Sequence, residues 1–193
     1  METVKIKHKE YQITQIISDD KYIGSYKDKK YLLRKFDYSS EEGKALLYNI
    51  KKLINNGVKV PKLIAVDKKA GFLVSEYIDG ISAMEYLSKQ DFSEDLFDQL
   101  FKINHMAKSG RMTLNYSPDK WIIREGDLYY VYPWFINYNP KEELSEKYLK
   151  LYFNTKELAE FLDKNGVFYD KSRIKDEYST NKEMVLMTVK YYR

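Results

Sequence analysis

Apolar and polar positions alternate from the beginning of the chain. TVKIKHKEYQITQII, KYIGSYKD and KYLLRKF are short runs rich in Tyr, Ile and Val, separated by SDD and KDKK. Alternation with period two between polar turns predicts three antiparallel strands. The period then lengthens. In SSEEGKALLYNIKKLINNG, Leu46, Ile50, Leu53 and Ile54 return on one helical face, with Ser39 and Glu42 as a capping box and Gly57 as a stop. After VKVP, the run KLIAVDKKAGFLVSEYIDG predicts two more strands joined by a turn at Lys68 to Gly71. The first part therefore reads as a five-stranded antiparallel sheet with one helix.

The second part changes character. SAMEYLSK and FSEDLFDQLFKINHMAKSG have helical spacing, the latter placing Leu96, Leu100, Ile103 and Ala107 on one face before Gly110. KWIIRE and DLYYVYPWF predict a hairpin over residues 121–135 around Glu125 to Asp127, and the remainder is mostly helical. A mainly β lobe over residues 1–78 followed by a mainly α lobe over 79–193 is an α+β arrangement. Its natural cleft would lie at the junction near Glu76 to Gly80.

Composition narrows the chemistry. The chain has 193 residues, 44% of them apolar, enough for a substantial core. No window approaches a membrane span, and METVKIKHKEYQ lacks the apolar core of a signal peptide, so a cytoplasmic protein without membrane attachment is expected. There is no Cys, and the two His, His8 and His105, are far apart, which argues against disulfides and a Cys- or His-ligated metal. The net charge is +4 and the lysines are scattered among acids, a pattern of solvated surface that does not favour nucleic acid. The 19 tyrosines and the aromatic run KWIIREGDLYYVYPWFINYNP would suit base stacking in an RNA-binding module only if lysines gathered on the same face.

The segment NNGVKVPKLIAVDKKAGFLVSEYIDG, residues 55–80, resembles the protein-kinase-like superfamily, in particular its small atypical RIO-type and KEOPS-type kinases and the aminoglycoside phosphotransferases. The likeness lies in a G-[VI]-x-[VI]-P followed by two strands and a terminal E-x-[IL]-x-G. It implies a two-lobe fold in which Glu76, Tyr77 and Ile78 form a hinge whose backbone meets an adenine. It also implies that KYLLRKF carries the base that pairs the nucleotide phosphates, either Arg34 or Lys35, which alternation places on opposite faces. Two expected features are lacking. The middle of the helix offers Leu46, Leu47 and Tyr48 where a Glu would pair that base, and IISDDKYIGSY has one glycine, Gly24, after its turn, with Asp19 and Asp20 where a phosphate would lie.

In TLNYSPDKWII, the same resemblance brings Asn115 to the position of the catalytic Asp and Lys120 to that of the metal-binding Asn. Tyr132 falls at the position of the second metal-binding Asp. A carboxamide is no base at neutral pH, and an ammonium repels Mg²⁺. These substitutions imply a catalytically inactive pseudokinase, a binding or regulatory module with a protein partner, no catalytic residue and no metal ligand; ATP stays a candidate cofactor and Mg²⁺ a poor one. Two alternatives stand beside it: an active atypical phosphotransferase with acids relocated to Asp119 or Asp127, and an aromatic-rich RNA-binding module.

Overall fold

The structure, a computed structural model, describes residues 2–192, with side chains up to Tyr191. The chain divides into two compact units. One comprises the chain up to Lys51 together with Val60–Asp79; the other comprises Lys52–Lys59 and the chain from Gly80 onward.

The first unit is built on strands β1 (Thr3–Ile6), β2 (Lys9–Ser18), β3 (Lys21–Tyr26), β4 (Lys29–Lys35), β5 (Leu63–Asp67) and β6 (Phe72–Glu76), with helix α1 (Glu41–Asn55) following β4. The sheet is antiparallel with order β1-β2-β3-β4-β6-β5. It has six strands, where the sequence pattern predicted five. The first predicted strand is broken at Lys7, which takes φ 53° and turns the chain back on itself without a Gly, Pro or Asn to mark the place. The cap of α1 is also displaced by one residue: the Gly43 N–H donates to Ser40 Oγ at 3.0 Å, while Ser39 is bound to Asp37. Gly57 stops the helix as expected, at φ 78°, with the Val58 N–H donating to Leu53 O and its own to Ile54 O. Leu46, Ile50 and Leu53 are buried, but Ile54 is exposed.

The sheet curls around one apolar face. Across its strands the register aligns Tyr22 with Leu33, Leu33 with Val74 and Val74 with Ala65, and Ile6, Tyr11 and Phe72 complete this core. Gly24 has no side chain because a Cβ there would stand 2.7 Å from Leu33 Cδ1, so Leu33 fills the space it leaves. The curl brings β1 toward the last strand in the sheet order, where the Lys7 N–H donates to Asp67 Oδ2 at 2.6 Å.

The second unit contains β7 (Ile81–Ser82), α2 (Ala83–Lys89), α3 (Glu94–Ser109), β8 (Met112–Leu114), β9 (Trp121–Arg124), β10 (Asp127–Tyr130), β11 (Phe135–Asn137), α4 (Lys156–Lys164) and α5 (Glu177–Tyr192). Ser82 and Ser93 cap α2 and α3, and Leu96, Leu100, Ile103 and Ala107 are buried along α3. β10, β9 and β7 form one small sheet, β11 and β8 another. The predicted hairpin over 121–135 is therefore shorter: β10 ends at Tyr130, and Phe135–Asn137 leaves to pair with β8. Pro133 lacks the N–H a ladder needs, and the Trp134 N–H turns back to Tyr132 O. Gln99 of α3 clamps the hairpin turn, donating to Gly126 O and accepting the Leu128 N–H. No helix among the described residues is long and apolar enough to cross a membrane.

Gly80 is packed tightly against the hairpin: a Cβ there would lie 2.4 Å from the Ile123 carbonyl oxygen. Backbone paired to β7 cannot withdraw as a side chain can. Gly80→Ala is expected to cost about 2–3 kcal/mol through overpacking, read as a lower urea midpoint with unchanged slope.

Candidate functional site

The residues the sequence brought forward in TLNYSPDKWII lie together in the second unit. Asn115 Oδ1 accepts the Ser117 N–H at 3.0 Å, a side-chain turn that leads into Pro118 and the 3₁₀ turn Pro118–Lys120. The Asn115 N–H donates to the Tyr130 hydroxyl at 3.1 Å, which donates in turn to Trp134 O at 2.8 Å. The Tyr152 hydroxyl donates to Tyr116 O at 2.6 Å. Tyr116 is stacked on Trp121 with centroids 5.9 Å apart, and Trp121 meets Tyr130 at 4.7 Å. These rings are buried, and two phenols pin the loop backbone over them.

The charged groups of the loop satisfy one another. The Ser117 hydroxyl donates to Asp119 Oδ1 at 2.6 Å, and the Lys120 ammonium is paired with Asp119 Oδ2. Lys120 Nζ also lies 5.1 Å from the centroid of Tyr132. Contacts thus run from Asn115 through Ser117, Asp119 and Lys120 to Tyr132, and from its ring to Tyr130 and back to Asn115. In a strand, the neighbours Asp119 and Lys120 would point apart. They meet because Pro118–Lys120 is helical, and both remain partly buried at 26% and 28% side-chain exposure.

Burial is the main cause that raises the Tyr130 phenol far above its ordinary range, opposed by the hydrogen bond from the Asn115 N–H and reinforced by Tyr132, Tyr148 and Asp119. Burial likewise raises Tyr152, with the Asp119 charge the next cause. Both phenols are neutral donors. Ser117 was not singled out in the sequence, where the available signal was Ser before Pro-Asp, a turn-opening pattern, whereas Tyr130 belongs to the aromatic run KWIIREGDLYYVYPWFINYNP already marked there.

In the first unit Arg34 and Lys35 do lie on opposite faces of β4. Arg34 shares its face with Leu32, and its Nε is 3.7 Å from Asp20 Oδ2. Lys35 shares the core face with Leu33 and reaches the rim at Tyr22, its Nζ 5.1 Å from that ring. Asp20 also accepts the Ser18 hydroxyl at 2.7 Å, and its carbonyl accepts the Lys35 N–H at 2.8 Å. Its carboxyl lies below the usual range, first through Ser18, with the charges of Lys21 and Arg34 adding to the effect. Gly24 belongs to the sheet core, not to the turn at Asp19 and Asp20.

Glu76 exchanges hydrogen bonds with Lys62, its N–H donating to Lys62 O at 2.9 Å and its carboxylate accepting the Lys62 N–H at 3.4 Å. Tyr77 has the Lys30 ammonium 5.6 Å from its ring centroid, and Ile78 is buried. Among the other acids, Asp127 pairs with Lys59 at 2.5 Å, Asp170 accepts the Ser172 N–H, and Asp176 accepts the Ser179 N–H at the start of α5. His105 is exposed on α3.

A Mg²⁺ ion requires oxygen ligands, usually one or two carboxylates. The loop residues do not fit it: Asn115 is neutral, Lys120 is cationic, and both Asp119 oxygens already hold partners. No cluster of three His, Asp or Glu suited to a metal occurs among the described residues.

Tyr130→Phe is expected to cost about 1–3 kcal/mol at pH 7, because the Asn115 N–H and Trp134 O lose their partner. The raised native pKa means that the unfolded state ionises first. The contribution of the phenol is complete below about pH 10 and declines as pH rises toward the native value. Urea titrations from pH 8 to 11 should show wild type losing stability more steeply than the variant; parallel curves would contradict the buried, neutral phenol.

No protein-family model matches the chain, and no curated protein is significantly similar to it.

Proposed function

We propose that the chain is a kinase-like protein without phosphoryl transfer, a pseudokinase acting as a binding or regulatory module for a protein partner. The observation that carries this reading is the Lys120–Asp119 ion pair beside Asn115. The loop holds one full negative charge and one full positive charge in contact, so it offers no surplus anion to grip a metal-bound triphosphate and no free carboxylate to take a hydroxyl proton. The pairing of Arg34 with Asp20 in the first unit supports the same reading, since a carboxylate stands at one of the two cations, Arg34 and Lys35, that the resemblance offers to phosphate. The resemblance of residues 55–80 supplies the kinase part of the proposal, and ATP is its candidate ligand.

Thermal melting with ATP, with and without Mg²⁺, tests it. A ligand at 100 times its Kd adds about 2.7 kcal/mol, which for a chain of this size raises Tm by roughly 5–10 °C. The expected result is no metal-dependent rise and no phosphate release; a rise with ATP alone fits a nucleotide-binding pseudokinase. A rise that requires Mg²⁺ and is accompanied by phosphate release would sink the proposal in favour of an active phosphotransferase.

A further inference from the structure

Six lysines lie at one end of the first unit's sheet, with Lys9 and Lys29 on the face of Ile6 and Tyr26 and Lys5 and Lys30 on the other. β1 and β2 are joined through Lys7 and His8, β3 and β4 through Lys27 and Asp28. Because β2 and β3 pair antiparallel, both turns lie at the same end, about 10 Å apart by strand spacing. The first hairpin brings Lys5, Lys7 and Lys9, the second Lys27, Lys29 and Lys30, all exposed. Tyr26 ties the two groups together: Lys9 Nζ lies 5.3 Å and Lys27 Nζ 5.6 Å from its ring centroid.

Three features separate this cluster from an ordinary solvated face. None of the six ammonium groups makes an ion pair among the described residues, whereas Lys44, Lys89, Lys150 and Lys175 each hold a carboxylate. Glu10 and Asp28 are the only acids within residues 5–10 and 27–30, the fold adds one further acid, Asp67, beside Lys7, and the two segments themselves carry +4. That equals the formal net charge of the whole chain, and everything else sums to zero. Finally, Lys7 at φ 53° and Lys27 at φ 50° occupy left-handed positions that Gly or Asn adopts more cheaply, so the tips carry cations against backbone preference.

The partner follows from what the tips lack. No large exposed apolar side chain lies within residues 5–10 or 27–30, which removes the anchor that a protein interface core or an inserted membrane contact needs. A nucleic acid can be bound by charge alone, through counterion release. We propose that this end of the sheet holds the phosphate backbone of a nucleic-acid strand without reading its sequence. The lysines are scattered along the chain and gathered only by folding, and the site is independent of any kinase-like role.

The test is fluorescence anisotropy of the full chain with labelled 20-nucleotide DNA strands, one oligo-dT and one of mixed sequence, from 50 to 200 mM NaCl. Binding should differ little between sequences and weaken with a log–log slope of about −0.7 per phosphate contacted, roughly 50-fold over that range for four contacts. K7Q/K9Q/K27Q/K29Q should lose at least tenfold in affinity and flatten the slope. K141Q/K156Q/K164Q/K182Q, which removes the same charge from other exposed positions, should stay within threefold; circular dichroism confirms that both variants fold. Absence of binding at 50 mM, or equal loss in both variants, overturns the site. Tighter binding to phosphatidylserine vesicles than to either strand at the same salt assigns the surface to a membrane and overturns the nucleic-acid proposal.

Discussion

Leu33 occupies the space left by the missing side chain of Gly24, and the first unit is organised by that fit. With Tyr22 and Val74 beside it in the ladder and Tyr11 above, Leu33 fixes which face of the sheet is inside. Since side chains in a strand alternate, this choice also decides the positions of its neighbours. Arg34 is sent to the other face and toward Asp20, and Lys35 reaches the rim at Tyr22. The curl about the same core carries Lys7 to Asp67 and sets two lysine-bearing turns side by side. One apolar contact thereby governs the placement of several charges that never touch it.

The charges follow different rules at different places. At the loop after Asn115 and at the turn before β3, a cation has an acid from its own unit beside it: Asp119 for Lys120, Asp20 for Arg34. The first pair is partly buried, where an unopposed charge would be costly. The second differs between partners, with Arg34 at 15% side-chain exposure and Asp20 at 53%, so water screens it more and its effect on stability is small. At the hairpin tips the lysine ammonium groups are exposed and form no ion pair among the described residues, although Asp67 stands near Lys7 through the bond from its backbone N–H.

Much of the architecture was legible in the sequence. The turn at Lys68–Gly71, the stop at Gly57 and the buried face of α3 follow from glycine placement and apolar spacing. The opposite orientations of Arg34 and Lys35 follow from alternation alone. The break at Lys7 did not, because a left-handed lysine leaves the alternating pattern uninterrupted on either side. The meeting of Asp119 with Lys120 was hidden for a related reason: a 3₁₀ turn of three residues leaves no periodicity to read. The lysine cluster was invisible to composition, since charge counted along the chain takes no account of which turns a sheet sets side by side.

Tyr130 belongs to the hairpin, yet its hydroxyl bridges the Asn115 amide and the Trp134 carbonyl, groups from the two segments flanking that hairpin. Neither segment can fray on its own without leaving a buried phenol short of a partner. The loop and the chain after β10 are thus made part of one cooperative opening unit, and the Asn115 amide should be shielded from exchange with solvent to the same depth as the hairpin amides.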